Sequence, residues 1–219
     1  MQQKAFIFDL NGTMIDDMDF HIRAWHSILN SLGAELSLQQ VKLECYGKNE
    51  ELLERIFPGR FSNEEMQTMI LHKEQTYQLE FKPHLSLIAG LASFLQKAYA
   101  ESIPMGIGSA ALPMNINYVL DGLQIRHYFK AIVSAVDVAL SKPHPETFLS
   151  CAKQLGVNPS NCIVFEDSPK GVLAAKMAGM ECVVLTTMHI EDEFANFDNV
   201  ILKVSDYSTE AIQQLIKPV

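Results

Sequence analysis

The sequence is short of cationic residues: 17 Lys and Arg stand against 26 Asp and Glu, a formal net charge of −9 over 219 residues. Nucleic acid and anionic membrane surfaces both require a basic face, so neither partner is expected. Cysteine is scarce as well. The four, at 45, 151, 162 and 182, form no Cys-x-x-Cys and share no spacing with paired histidines, which predicts reduced thiols in a cytoplasmic interior. No uncharged apolar run approaches the roughly 18 residues of a membrane span. The opening Met1-Gln2-Gln3-Lys4-Ala5-Phe6 lacks the charged-then-apolar pattern of a secretory leader. Repeats, low-complexity tracts and long linkers are also missing. With 48% hydrophobic and 20% charged residues, the chain is neither disordered nor collagen-like. Its length suits one large domain, or a core domain carrying a smaller insert. A soluble, cytoplasmic protein is expected, as a monomer or weak dimer.

What is present is a change of hydrophobic rhythm along the chain. Short apolar runs occur at Ala5–Phe8, Pro104–Ile107, Ala131–Val133, Cys162–Phe165 and Cys182–Leu185. They do not alternate with polar residues, which fits strands buried on both faces. Helical stretches lie between them. Glu146–Leu155 places Phe148, Leu149, Ala152 and Leu155 on one face and stops at Gly156; Ser168 caps a helix that starts at Pro169 and ends at Gly179. Strand–helix alternation predicts an α/β fold with a doubly wound, mostly parallel sheet. Residues 17–82 break that rhythm with helical patterns only: Met18–Leu32, with apolar positions 18, 22, 25, 28, 29 and 32, then Asn49–Phe57 and Asn63–Phe81. The expected organisation is a core of 1–16 and 83–219 interrupted by a helical insert of 17–82.

Ligands of open parallel sheets sit beyond the carboxyl ends of the strands. Three of the predicted strands run into polar residues there: the first into Asp9, the second into Ser109, the fourth into Glu166 and Asp167. Asp9, Glu166 and Asp167 are hard oxygen donors of the kind Mg²⁺ takes along with substrate phosphate and water. Clustered acids raise one another's pKa unless a cation balances them. A helix N-cap accounts for Asp167-Ser168-Pro169 equally well, but not for Glu166. Gly12-Thr13 permits a tight loop with exposed backbone N–H groups for a phosphate oxygen. Ser109 offers a hydroxyl to the same oxygen, and Lys142 offers a positive charge.

These residues, in this order, resemble the haloacid dehalogenase superfamily of phosphotransferases. Phe6-Ile7-Phe8-Asp9-Leu10-Asn11-Gly12-Thr13 is similar to its first motif, Gly108-Ser109-Ala110 to the second, Lys142-Pro143 to the third and Glu166-Asp167-Ser168 to the fourth. Asp19-Phe20-His21-Ile22-Arg23-Ala24-Trp25 resembles the cap entry of the β-phosphoglucomutase-like branch, where Gly47, Lys73 and Tyr77 also fall. The resemblance implies a Rossmann-like core with a small helical cap, and an Mg²⁺-dependent phosphohydrolase of a small phosphorylated metabolite. Asp9 would attack phosphorus to give an aspartyl-phosphate. Ser109 and Lys142 would hold the transferring group, with Gly12, Thr13 and Ala110 beside it. The metal would be held by Asp9, the Asn11 main-chain carbonyl and Asp167, with Glu166 in support, while His21, Gly47 and Lys73 would serve substrate from the cap.

The sequence departs from that pattern at residue 11, where the family carries a second aspartate that protonates the leaving oxygen and then activates water. An amide does neither. An introduced substitution, an enzyme with an easy leaving group or an acid from the cap, a binding protein without turnover, and deamidation of the labile Asn11-Gly12 pair each account for it. Two further departures disfavour a sugar-phosphate mutase, the alternative enzyme. Apolar Ala111-Leu112-Pro113 follows motif two, and Glu50 stands where the family's cap arginine holds a distal phosphate.

Overall fold

The structure, a computed structural model, describes residues 4–217. Six apolar segments of three to five residues, too short for helices, pair as strands: β1 (Ala5–Phe8), β2 (Met105–Gly108), β3 (Ala131–Val133), β4 (Cys162–Glu166), β5 (Glu181–Leu185) and β6 (Val200–Val204). They form one sheet in the order β3-β2-β1-β4-β5-β6, every pair parallel. Parallel strands need crossovers that cover both faces, and β1, β2 and β4 are accordingly buried throughout.

The chain divides into two compact units, Asp17–Leu85 and Met1–Asp16 with Ser86–Val219. The first holds α1 (Met18–Ser31), α2 (Leu38–Glu44), α3 (Asn49–Ile56) and α4 (Asn63–Phe81). The second holds the sheet with α5 (Leu91–Ala100), α6 (Pro113–Gly122), α7 (Glu146–Leu155), α8 (Pro169–Met177) and α9 (Glu210–Gln214). The second joint lies at 85–86 rather than 82–83, because a 3₁₀ turn at Lys82–His84 extends α4.

Three local expectations need correction. The second strand is shifted one residue towards Gly108, and Gly106 within it leaves room for Cys151, whose sulfur would lie 2.5 Å from a Cβ there. Leu149 is 38% exposed; Phe148, Cys151 and Ala152 form the buried stripe of α7 instead. α1 buries His21, Ile22, Ala24, Trp25 and Leu29, so the face is centred on Trp25, and Met18, Ile28 and Leu32 are only half-buried. Helix α8 forms as its signals predict: the Ser168 hydroxyl accepts from the Gly171 N–H, Pro169 opens the helix, and Gly179 follows with φ +72°. All four cysteines are free thiols. No helix among the described residues is long and apolar enough to cross a membrane.

Candidate active site

Sheet topology brings the polar strand ends together. From β1 the chain order runs one way to β2 and β3, and the other way to β4, β5 and β6, so the β1/β4 boundary is the switch point where open α/β sheets form their crevice. Phe8 pairs with Phe165 in register, and the Asp9 N–H donates to the Phe165 carbonyl at 2.9 Å. Asp9 and Glu166 are thereby fixed side by side on adjacent strands. Ser109 follows β2, tied to β3 by its N–H to the Val133 carbonyl at 3.0 Å.

Lys142 reaches this point from the segment before α7. Its Nζ donates to Asp9 Oδ1 and to Glu166 Oε1, both at 2.7 Å, and lies 4.5 Å from the Phe148 ring centre. The other Glu166 oxygen accepts from the Asp167 and Ser168 N–H groups at 2.8 Å each and from the Ser168 hydroxyl at 3.0 Å. A Cβ at Gly171 would overlap that carboxylate, so the glycine is what lets Glu166 lie against the first turn of α8. Glu166 therefore both braces Ser168, the N-cap of α8, and pairs with Lys142. Asp9, Glu166 and Asp167 are all buried, with carboxylate oxygens within 4.8 Å of one another.

Three buried acids face one ammonium, and the protonation pattern follows. Burial pushes Asp9 up to about 7; Lys142 pulls it down and the Glu166 charge adds to the rise. Asp167 is driven well above the ordinary carboxyl range by burial and then by the charges of Glu166 and Asp9. Glu166 is the exception: burial raises it, but the Lys142 charge and its donors together hold it below normal. Burial likewise works against the Lys142 charge, and Asp9 and Glu166 outweigh it, so its pKa is raised. Hard oxygen donors with negative charge in excess suit a small divalent cation such as Mg²⁺.

The loop after Asp9 closes on one atom. The N–H groups of Thr13, Met14 and Ile15 converge on the Leu10 carbonyl at 3.4, 2.8 and 3.4 Å. The Thr13 N–H expected to be exposed thus turns into the loop, since its peptide plane is needed to close the turn. Gly12 has φ +71°, and a Cβ there would overlap the Asp167 carboxylate, so no other residue fits without movement. The Thr13 hydroxyl is buried without a hydrogen-bond partner. Asn11 is half-buried and bridges to Ile15, and Ala110 is half-buried beside Ser109.

His21, Gly47 and Lys73 belong to the helical unit and not to the carboxylate cluster. Lys73 is only 2% exposed; its Nζ lies 2.6 Å from His21 Nδ1 and 3.1 Å from Glu74 Oε1, and 5.3 Å from the Trp25 ring centre. His21 Nε2 lies 3.3 Å from Asp17 Oδ2, which accepts from the Tyr77 hydroxyl at 2.5 Å. Asn49 Nδ2 donates to Glu74 Oε1 at 2.7 Å. Gly47, with φ +76°, sits in the turn between α2 and α3, and Glu50 accepts from Gln67 Nε2 at 2.8 Å. Asp17, Glu74 and Asn49 escaped the motif-based reading because no spacing marks them. Only the fold shows that they surround Lys73 and His21.

A family model described as haloacid dehalogenase-like hydrolase matches residues 6–185. The chain belongs to the haloacid dehalogenase-like hydrolase family. This hydrolase is 30% identical over 190 residues to the fructose-1-phosphate phosphatase YqaB of Escherichia coli (strain K12), covering 82% of this chain and 94% of that one. It is 30% identical over 219 residues to the beta-phosphoglucomutase of Bacillus subtilis (strain 168), covering 96% and 94%. Among solved structures, beta-phosphoglucomutase from Clostridium difficile is similar with a TM-score of 0.84 and 29% identity, over 98% of this chain and 97% of that one. A haloacid dehalogenase-like hydrolase with such relatives is a phosphatase or phosphotransferase, and its parallel sheet is the fold that the family shares.

Proposed function

We propose that the protein is an Mg²⁺-dependent phosphohydrolase of small phosphorylated sugars or polyols, acting through an aspartyl-phosphate on Asp9. The observation that carries this reading is the Lys142 ammonium held 2.7 Å from both Asp9 and Glu166, beside Asp167, at the switch point of the sheet. Asp9, Asp167 and the Asn11 main-chain carbonyl would hold the metal, with Glu166 in support. When bound, it would offset charge on the phosphoryl oxygens and keep Asp9 ionised.

Asp9 attacks phosphorus in line; the P–O bond to the leaving oxygen breaks as the bond to the Asp9 carboxylate forms, and the departing alkoxide takes its proton from solvent water. Water then attacks phosphorus, releasing phosphate and the free carboxylate. Positioning and electrostatics carry most of such a transfer. Lys142 holds Asp9 at its Oδ1 and presents positive charge to the incoming phosphoryl oxygens, and Ser109, which hydrogen-bonds Asp9, offers a hydroxyl beside it. Gly12, Thr13 and Ala110 line the same end of the sheet, with the orphaned Thr13 hydroxyl as a polar atom still to be satisfied. From the helical unit, the cap in this reading, His21, Gly47 and Lys73 would serve the remainder of the substrate.

Asn11 sets the rate. Its amide neither protonates the leaving oxygen nor activates water, so turnover proceeds without the general acid–base contribution of about 10²–10⁴-fold. Net hydrolysis rather than mutase transfer is supported by Glu50 and by the apolar Ala111-Leu112-Pro113, which leave no basic grip for a second phosphate at those positions. The test is phosphate release by this protein and by Asn11→Asp on hexose and hexitol monophosphates, pyrophosphate and acetyl phosphate, with intact mass checked for deamidation. Release that rises about 10²–10⁴-fold in Asn11→Asp is expected. No release by either form on any substrate, or isomerised sugar phosphate in place of free phosphate, overturns the reading.

A further inference from the structure

Two hydroxyls from the far side of the sheet grip consecutive carbonyls of the loop that follows Asp9. Thr187 Oγ1, two residues past the end of β5, donates to the Gly12 carbonyl at 2.5 Å. The Tyr207 hydroxyl, beyond β6, donates to the Thr13 carbonyl at 3.1 Å. Neither residue belongs to a motif, and each is separated from its acceptor by most of the chain.

Both donors are anchored. Thr186, next to Thr187, donates its N–H to the Val204 carbonyl at 2.9 Å and its hydroxyl to the same oxygen at 3.3 Å. This fixes the end of β5 to the end of β6. Tyr207 is fully buried, its ring 5.7 Å from Phe94 and 5.8 Å from Phe165. Its own N–H donates to the Ala89 carbonyl at 2.9 Å, and Gly90 is bare enough to let that backbone approach. A donor on a rigid mount sets the direction of the peptide plane that it holds.

What that plane controls is the seat of Asp167. The Gly12 Cα lies so close beneath the Asp167 carboxylate that no Cβ fits between them. Freeing these two carbonyls lets the loop backbone shift as a segment, and with it the Gly12 Cα beside the carboxylate and the Asn11 carbonyl one peptide earlier. We infer that Thr187 and Tyr207 are positioning residues that set the metal-binding geometry of the Asn11–Thr13 loop and Asp167 from the β5 and β6 ends. This inference rests on the Mg²⁺ site proposed above.

The experiment is calorimetric titration of Mg²⁺ into the parent protein and into Thr187→Val, Thr187→Ser and Tyr207→Phe, with thermal unfolding of each in metal-free buffer. Support for a metal ligand by a neighbouring group is worth about 10–100-fold in affinity. Thr187→Val is expected to bind Mg²⁺ at least about tenfold more weakly, and Thr187→Ser, which keeps the hydroxyl, to return to within about twofold of the parent. Tyr207→Phe retains the ring and serves if Thr187→Val does not fold; it too should lose affinity while its fold persists. Mg²⁺ affinity equal to the parent's in the folded variants overturns the positioning role and leaves the proposed activity standing. A parent that binds no Mg²⁺ overturns both.

Discussion

Replacing Lys142 by Met tests the electrostatic reading of the site without altering its bulk. The side chain is 8% exposed, and its ammonium is shared by two carboxylates at 2.7 Å each. Removing one partner of a buried ion pair costs about 3–5 kcal/mol, because the charge left behind has neither water nor a counter-ion. In Lys142→Met that charge is carried by Asp9 and Glu166, with Asp167 close by. Their pKa values then rise further. An acid whose folded pKa lies above its unfolded value costs nothing when both states are protonated, and costs progressively more as pH climbs through that window. The loss is therefore small near about pH 4 and still growing above about pH 7, where Asp9 titrates in the parent. For a chain of this size, about 3–5 kcal/mol corresponds to a fall in Tm of roughly 6–20 °C. Differential scanning calorimetry at both pH values, with and without saturating Mg²⁺, measures it. The metal should recover more stability in Lys142→Met than in the parent, since it supplies the missing positive charge. An equal fall at both pH values, indifferent to Mg²⁺, would refute the reasoning and assign the loss to the lysine stem packed against Phe148.

Two other substitutions bear on the same site. Asp9→Asn should abolish phosphate release and raise the Tm of the metal-free protein at about pH 8, with little effect near about pH 4. The Asp9 carboxyl, at about 7 when folded, costs stability progressively as pH climbs from the ordinary carboxylate range to about 7; a Tm unchanged at alkaline pH would contradict that. Gly12→Ala combines a left-handed backbone, worth about 1–2 kcal/mol against a Cβ, with an overlap on Asp167. It should lower stability by more than that amount in urea unfolding and weaken Mg²⁺ binding in titration calorimetry, whereas near-parental values in both would show the loop to be pliable.

Sequence reading reached furthest where local chemistry and topology agree. β1 and β4 are central strands buried on both faces, so they are continuous apolar runs, and each stops at an acid. Helix α8 carries its own start and stop signals in Ser168, Pro169 and Gly179. β6 was missed because it lies at the sheet edge, where Val200–Val204 is half-exposed and carries Lys203. Asp9, Glu166 and Asp167 were legible as strand ends. The burial of Lys142 was not, since nothing near residue 142 reveals that Phe148 and two carboxylates close around it. Thr187 and Tyr207 were invisible for the same reason: a hydroxyl past a strand end acquires meaning only when the strand order places it over the loop it grips. Leu149 shows the opposite failure, an apolar residue assigned to a buried face that the fold leaves to solvent.

The order of the sheet has a consequence for how the molecule comes into being. β1, near the start of the chain, is flanked by β2 and β4, and Lys142 lies 133 residues beyond its partner Asp9. During synthesis the helical stretch of Asp17–Leu85 is complete while the first strand still has no neighbour to pair with. An exposed apolar strand bearing an acid at its end must wait for β2, and until more than half of the polypeptide has followed it for β4, the situation in which non-local pairing is slow and nascent chains need protection. A chain released before β4 would keep Asp9 but hold neither Glu166 nor Asp167 against it. Assembly of the acidic cluster is thus a late event, and it reports completion of the core rather than initiating it.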